Sequence, residues 1–459
     1  MRKFLTDSIF TMVSFIVQKP FAFIREFALA AILGPYYMGL KNLIVMLMNY
    51  SKYLDFGIFN ELYRQTARKK EEYFPTALSY SLIVSLFIGV LILGFTLITD
   101  YSDEIKISFY LLFFISLFHI IGNVINYFLL GKAKFQQTTI YETVYVILNF
   151  IFAIALAYYF GYLGAVSGLL IAVFIRFLLF YKEFRKLKLK IRFEMEKFIF
   201  LLKNGINLFV NSISETLYIQ LDSLIVVTML GPASLGIYGI ATTINQFIYS
   251  TFGATIRPLG QKMLENGKDE NKIKNYLHAV TTLAGYTMIF PIMLIVFISP
   301  FLIDNYLPLY TEAIVLIGVL APAAYFNIIL GPINNYLVAR NRERTITIST
   351  LIATIINVIF NIYFIIQGYG LIGIALSTSI AYMVNFILLH YLSKTVTIKQ
   401  FLSELFPLFY MIFFIYNYFY GLILLPIYII ITYYVFSRRG VNLYLKKIID
   451  LMLKKEVKQ

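Results

Sequence analysis

Apolar runs of about 20 residues or more, each long enough to cross a bilayer, follow one another along the whole chain. They predict an all-α polytopic membrane protein with fourteen transmembrane helices. The spans lie near 5–32, 37–62, 76–99, 108–131, 138–160, 162–182, 198–229, 235–261, 275–299, 312–338, 345–367, 371–393, 401–418 and 420–437. Several exceed the minimum length, which implies tilt or extension past the bilayer. The runs are continuous rather than alternating, so an outer-membrane barrel is excluded.

Polar positions interrupt these runs in a repeated way. Asp7, Ser14, Gln18 and Arg25 form one stripe, and Asn204, Asn211, Glu215 and Asp222 form another, 197 residues later at every position. Steps of seven, three and four keep each stripe on one helical face. Each helix then runs into the same turn, Leu33-Gly34-Pro35 with Gly39 and Leu230-Gly231-Pro232 with Gly236. The repeat continues at a spacing of 209, where Asn126-Tyr127 matches Asn335-Tyr336 and Gly161 and Gly164 match Gly370 and Gly373. Spans 1–6 and 7–12 thus read as two copies with an even number of spans each. Both copies enter from the same side, which predicts two six-helix lobes as parallel repeats. The expected organisation is an N-lobe at 1–182, a basic linker at 183–197, a C-lobe at 198–393, an extra helix pair at 394–437 and a basic tail at 438–459.

Charge sets the orientation. With connections alternating from an inside start, 31 of the 39 Lys and Arg fall in inside segments. The longer outer loops carry Asp100, Asp103, Glu104, Asp304 and Glu312 instead. This positive-inside pattern predicts both termini in the cytoplasm. It also accounts for the net charge of +15 without a nucleic-acid partner. Met1-Arg2-Lys3 before an apolar run resembles a signal peptide, but Asp7, Lys19 and Arg25 interrupt the run. It reads as an uncleaved first span. The absence of Cys removes disulfide and thiolate chemistry, and three scattered His do not suggest a metal site.

Familiar motifs carry little. Gly368-Tyr369-Gly370-Leu371-Ile372-Gly373 fits GxGxxG but sits in a turn between two lipid spans, without the strand that a dinucleotide site needs. Gly164 and Gly168 form GxxxG, which reads as close helix packing. There is no P-loop, no HExxH and no catalytic triad, so neither an enzyme nor an ATP-driven machine is read.

Ionisable residues within spans carry more, because a charge at mid-bilayer persists only if paired or facing water. Arg25 and Asp222 hold equivalent positions in the two copies. One expectation is a buried ion pair across the pseudo-twofold axis; the other is that Arg25 meets an anionic group of a substrate. Lys41, Met48, Lys52 and Asp55 share a face of span 2, and Thr242, Asn245, Tyr249 and Arg257 share a face of span 8. Spans 1, 2, 7 and 8 are therefore expected to line one cavity. Lys52 also has Asp55 one turn on as an expected partner. Glu26 lies on a different face from Arg25 and reads as structural. Arg176 and Lys203 sit near inner span ends, where snorkelling is expected. His119 reads as a packed, neutral imidazole. Tyr218, Tyr238 and Tyr249 lie near the stripes and could stack on sugar rings.

In this order and in duplicate, several short pieces resemble the multidrug/oligosaccharidyl-lipid/polysaccharide flippase superfamily, and more narrowly its polysaccharide repeat-unit (O-antigen) flippases. They are Arg25 followed by Leu33-Gly34-Pro35-Tyr36-Tyr37-Met38-Gly39-Leu40, and Leu54-Asp55-Phe56-Gly57-Ile58 with Arg64. The second half supplies Leu221-Asp222-Ser223, Leu230-Gly231-Pro232-Ala233-Ser234-Leu235-Gly236-Ile237-Tyr238, and the Gly161 and Gly370 turns. The resemblance covers spans 1–12 and extends to the extra pair. It implies two lobes around a central cavity, alternating access, and a polyprenyl-diphosphate-linked oligosaccharide moved from the inner to the outer leaflet of a bacterial cytoplasmic membrane. Arg25, Lys52, Arg257, Gln18, Asn211, Asn245, Tyr249 and Tyr218 are then the candidate substrate contacts, and Asp7, Asp55, Glu215 and Asp222 the candidate coupling or ion-pair acids. No cofactor is expected beyond a coupling H+ or Na+. The expected partners are the anionic lipid-linked oligosaccharide, membrane lipids and a polysaccharide polymerase, around a monomer. The competing reading is a cation-coupled antiporter for drugs or organic cations, which would want an acidic, aromatic pocket.

Overall fold

The computed structural model describes residues 2–186, 191–265, 270–393 and 398–438. Within these, the side chains of 2–13, 15–16, 211, 251–272, 398–400, 419, 422 and 437–438 lie outside the description. The described chain is helical throughout. Its α-helices are α1 (Arg2–Ser51), α2 (Ile58–Ala67), α3 (Phe74–Ile98), α4 (Asp103–Gly131), α5 (Phe135–Lys186), α6 (Met195–Met229) and α7 (Pro232–Glu265). They continue as α8 (Glu270–Tyr306), α9 (Glu312–Ala339), α10 (Glu343–Ile366), α11 (Gly370–Ser393), α12 (Ile398–Tyr416) and α13 (Tyr418–Arg438). Eight of them are long and apolar enough to cross a membrane among the described residues.

Two of the helices are each a pair of arms. Gly34 interrupts α1 at φ 68 and Gly161 interrupts α5 at φ 58. Only glycine adopts such angles readily, and Pro35 removes the next backbone donor. The repeat is visible in the backbone: Gly231 takes φ 88 between α6 and α7, and Gly370 takes φ 52 at the start of α11. With their arms separated, α1 and α3–α13 supply fourteen helical arms that follow the predicted spans.

One boundary differs. The apolar pattern runs to residue 62, but the second arm of α1 ends in a 3-10 turn at Lys52–Asp55. Phe56 and Gly57 then take left-handed angles, φ 48 and φ 83, and a separate amphipathic helix, α2, begins. The turn is stabilised locally. Asp55 accepts the backbone N–H of Gly57 at 3.1 Å and of Phe59 at 3.0 Å, which satisfies donors that the start of a helix leaves open.

The chain divides into two compact units, residues 1–240 and 241–459. In the first, both α1 and α4 pack on α5, and α2 packs on α4 and α6. The core gathers around α2: Ile58, Phe59 and Leu62 bury against Phe74, Phe128, Leu129, Phe180 and Leu201. The Phe74 and Phe128 rings lie 4.2 Å apart.

In the second unit, α9 packs on α8 and α11, and α12 packs on α8. The extra pair of helices is tied into this unit by polar contacts. Glu404 on α12 accepts from Thr281 Oγ1 at 2.7 Å and meets His390 Nε2 at 2.8 Å, and Tyr325 donates to the Glu404 carbonyl. Tyr428 on α13 stacks on Tyr410 at 4.4 Å and donates to the Tyr286 carbonyl at 3.0 Å.

Candidate functional site, a cationic hairpin in α1

The turn at Gly34 folds the two arms of α1 back on each other, which brings residue 26 opposite residue 41. Glu26 is the hub. It accepts from Arg25 Nη2 at 2.6 Å and Nε at 3.1 Å, and its other oxygen accepts from Lys41 Nζ. The three side chains are 18%, 15% and 6% exposed, so the cluster is largely withdrawn from solvent. Two cations share one carboxylate, and the group keeps a net positive charge inside an apolar hairpin. Such a group costs desolvation energy that internal pairing only partly offsets. A residual positive charge in such surroundings favours an anion over a cation.

This geometry replaces the Arg25–Asp222 pair considered above. Arg25 is engaged by its neighbour Glu26, a pairing that the simple facing rule for adjacent residues does not anticipate. Asp222 is 3% exposed and accepts from the buried Tyr238 hydroxyl at 3.1 Å. Glu26, read from its face as structural, is the residue that joins Arg25 to Lys41.

The other candidates are placed as follows. Lys52 Nζ lies over the Tyr53 ring, 4.8 Å from its centroid. It makes no salt bridge with Asp55, whose oxygens are occupied in capping α2. Gln18 Nε2 donates to Thr143 Oγ1 on α5 at 2.8 Å. Tyr218 is half-buried and Glu215 exposed on α6. Asn245 and Tyr249 belong to the second unit. Asn245 is buried, donates to the Ala241 carbonyl at 3.3 Å and leaves Oδ1 without a partner. The side chains of Asp7, Asn211 and Arg257 lie outside the described residues.

Two close contacts join α1 to α6 and α7 within the first unit. At the repeated turns, a Cβ on Gly39 would lie 1.7 Å from the Pro232 carbonyl oxygen, and one on Gly236 would lie 2.0 Å from that of Pro35. Beyond the second arm of α1, a Cβ on Gly57 would lie 2.2 Å from the Gly205 carbonyl oxygen. Nearby, Tyr53 and Thr216 share a hydroxyl–hydroxyl hydrogen bond. Polar residues of α1 and α6 are therefore held on closely apposed backbones.

Arg176 departs from the snorkelling expected of a residue near an inner span end. It does not snorkel: it is 4% exposed and paired with Glu142 and Asn123. Its distance from the predicted span end was the only signal, and it pointed the wrong way.

A family model described as polysaccharide biosynthesis protein matches residues 28–308. The chain belongs to this family. The matched stretch includes Lys41, Lys52, both Gly-Pro turns and Asp222; Arg25 and Glu26 lie just before it. Among solved structures, the chain is similar to the lipid II flippase MurJ in an inward closed conformation. The TM-score is 0.72 at 19% identity, over 96% of this chain and 100% of that one. A MATE protein in complex with MaL6 is similar at TM-score 0.56 and 16% identity, over 86% of this chain and 95% of that one. A MOP superfamily transporter from Pyrococcus furiosus follows at TM-score 0.53 and 14% identity, over 87% and 96%. At these identities the likeness establishes a shared fold. No curated protein matches the chain in sequence.

Proposed function

We propose that this protein is a flippase that moves a polyprenyl-diphosphate-linked oligosaccharide from the inner to the outer leaflet of a bacterial cytoplasmic membrane by alternating access. The observation that carries the reading is the α1 hairpin, where Arg25 and Lys41 share the single carboxylate of Glu26. A diphosphate brings negative charge into surroundings of low dielectric, where a residual positive charge attracts it more strongly than in water. The sugars would meet neutral polar groups of the first unit such as Gln18 and Tyr218, and the polyprenyl tail would stay in lipid. Lys52 would extend the cationic path within the first unit. The family's place in polysaccharide biosynthesis and the likeness to a lipid II flippase fold support the same substrate class. An organic-cation antiporter would want the opposite sign of charge at this hairpin.

The test is reconstitution of the purified protein into liposomes carrying a fluorescent polyprenyl-diphosphate oligosaccharide. Protein-dependent exposure of the glycan on the opposite leaflet, competed by unlabelled polyprenyl-diphosphate oligosaccharide and not by organic cations, supports the proposal. Exchange of an organic cation with no movement of the lipid-linked glycan overturns it.

A further inference from the structure

Residues 39–57 run antiparallel to α6 and the start of α7, along one seam of the first unit. Three contacts set the register. Gly57 meets Gly205, the Phe56 and Phe209 rings lie 5.4 Å apart, and the Tyr53 and Thr216 hydroxyls are hydrogen-bonded. One helical turn back along α1 and one turn forward along α6 bring Tyr50 opposite Gln220. Glycines draw the backbones together at Gly57, and again where Gly39 and Gly236 meet the opposite proline carbonyls. Between these two pinches the facing side chains are polar: Tyr53 and Tyr50 on one side, Thr216 and Gln220 on the other.

Two polar atoms on this seam are left over. The Tyr50 hydroxyl and Gln220 Oε1 are buried and have no hydrogen-bond partner. Their neighbours are served, Tyr53 by Thr216, and Asp222 by Tyr238 at 3.1 Å. Both residues are only half-buried as a whole, so the seam is not closed beside them. Buried polar atoms are rarely left unpaired, and each exception asks for an explanation. Here the two stand at facing positions, a donor and an acceptor. A single hydroxyl group satisfies both, accepting from Tyr50 and donating to Gln220. Turning the Gln220 amide over puts a donor in that place. A hydroxyl serves that arrangement as well, accepting from the amide and donating to the phenol oxygen.

Other ligand groups fit less well. A phosphate would meet the Asp222 carboxylate, which is 3% exposed and acts electrostatically on the Tyr50 hydroxyl. An ammonium only donates, and so leaves the Tyr50 O–H as it was. We propose that Tyr50 and Gln220 form a sugar subsite, in which a hydroxyl of the glycan bridges α1 and α6. The subsite rests on the flippase reading, and it assigns the glycan rather than the diphosphate to this seam.

Binding to the full-length protein in lipid bilayers tests this with two probes. One is the fluorescent polyprenyl-diphosphate oligosaccharide, and the other is a polyprenyl diphosphate that carries no sugar. Tyr50→Phe and Gln220→Met should each weaken binding of the glycan-bearing lipid by roughly fivefold, the net worth of one hydrogen bond. Binding of the sugar-free lipid should not change. The melting temperature of Tyr50→Phe should match or exceed the parent's, because the lost hydroxyl has no partner within the protein. Unchanged glycan binding in Tyr50→Phe, or equal weakening for the two lipids, overturns the proposal. A lower melting temperature with unchanged glycan binding overturns it too, and gives the seam to a structural water. Should Gln220→Met fail to fold, Tyr50→Phe decides alone. A parent that binds neither lipid removes the flippase reading and the subsite together. A parent that binds the glycan-bearing lipid, with variants that bind it equally well, removes the subsite alone.

Discussion

Gly39 and Gly236 make the same contact in opposite directions. A Cβ on Gly39 would strike the Pro232 carbonyl, and a Cβ on Gly236 would strike the Pro35 carbonyl. The two residues are 197 apart, as are the two prolines. The duplicated turn therefore packs on its own copy, with approximate twofold symmetry at that point. Neither backbone can approach so closely if either glycine gains a side chain.

Gly39→Ala and Gly236→Ala should each lower stability by about 1–3 kcal/mol, the usual cost of overpacking a tight contact. The double variant should cost less than the sum of the two, because the first separation opens room for the second methyl. Thermal unfolding of the purified protein in detergent checks this. Gly94→Ala is the control: nothing lies within 4 Å of its Cβ position, and its melting temperature should not fall.

Asp55 separates capping from coupling. Asp55→Asn keeps an acceptor for the Gly57 and Phe59 amides, whereas Asp55→Ala removes it. Loss of the cap should cost about 1 kcal/mol. Glycan export should survive in the Asn variant and decline with protein abundance in the Ala variant. Loss of export in a normally abundant Asn variant would return Asp55 to the coupling acids.

Glu26 should be intolerant of neutralisation. Glu26→Gln leaves Arg25 and Lys41 without their shared carboxylate, and breaking a buried pair by removing one partner costs roughly 3–5 kcal/mol. Combining it with Lys41→Met should restore much of the lost abundance, because one of the two stranded cations is then removed. Immunoblots of membranes from cells carrying each variant measure this. Equal abundance of Glu26→Gln and the parent would show that Arg25 and Lys41 find other partners.

The spans were legible because length and hydrophobicity alone decide whether a helix can cross lipid. The turns were legible because Gly34 and Gly231 recur with Pro in the same frame, and both take the left-handed angles that such a turn needs. The break before α2 was not, because Leu54–Leu62 keeps an apolar pattern through Phe56, a residue seldom found at positive φ. Asp55 three residues ahead of the new helix was the available cue. Pairings across the fold were hidden for a different reason. Lys41 meets Glu26 only after the hairpin closes, and Arg176 meets Glu142 only after α5 bends at Gly161. Position along a span suggested snorkelling for Arg176; packing between two arms decided otherwise.

Arg25 distinguishes charge from packing at the hairpin. Arg25→Ala should abolish surface glycan while the protein stays in the membrane, because Glu26 and Lys41 then neutralise each other and the hairpin loses its net positive charge. Arg25→Lys should keep part of the activity. Its ammonium restores the charge, and a phosphate accepts a point charge at some loss of bidentate geometry. Export would be read as surface glycan in cells carrying each variant, with membrane abundance measured alongside. Full export by the Ala variant would reduce Arg25 to a packing residue beside Glu26. Equal loss in the Ala and Lys variants, with reduced protein in both, would mean that the pair with Glu26 serves folding and that the diphosphate is met elsewhere.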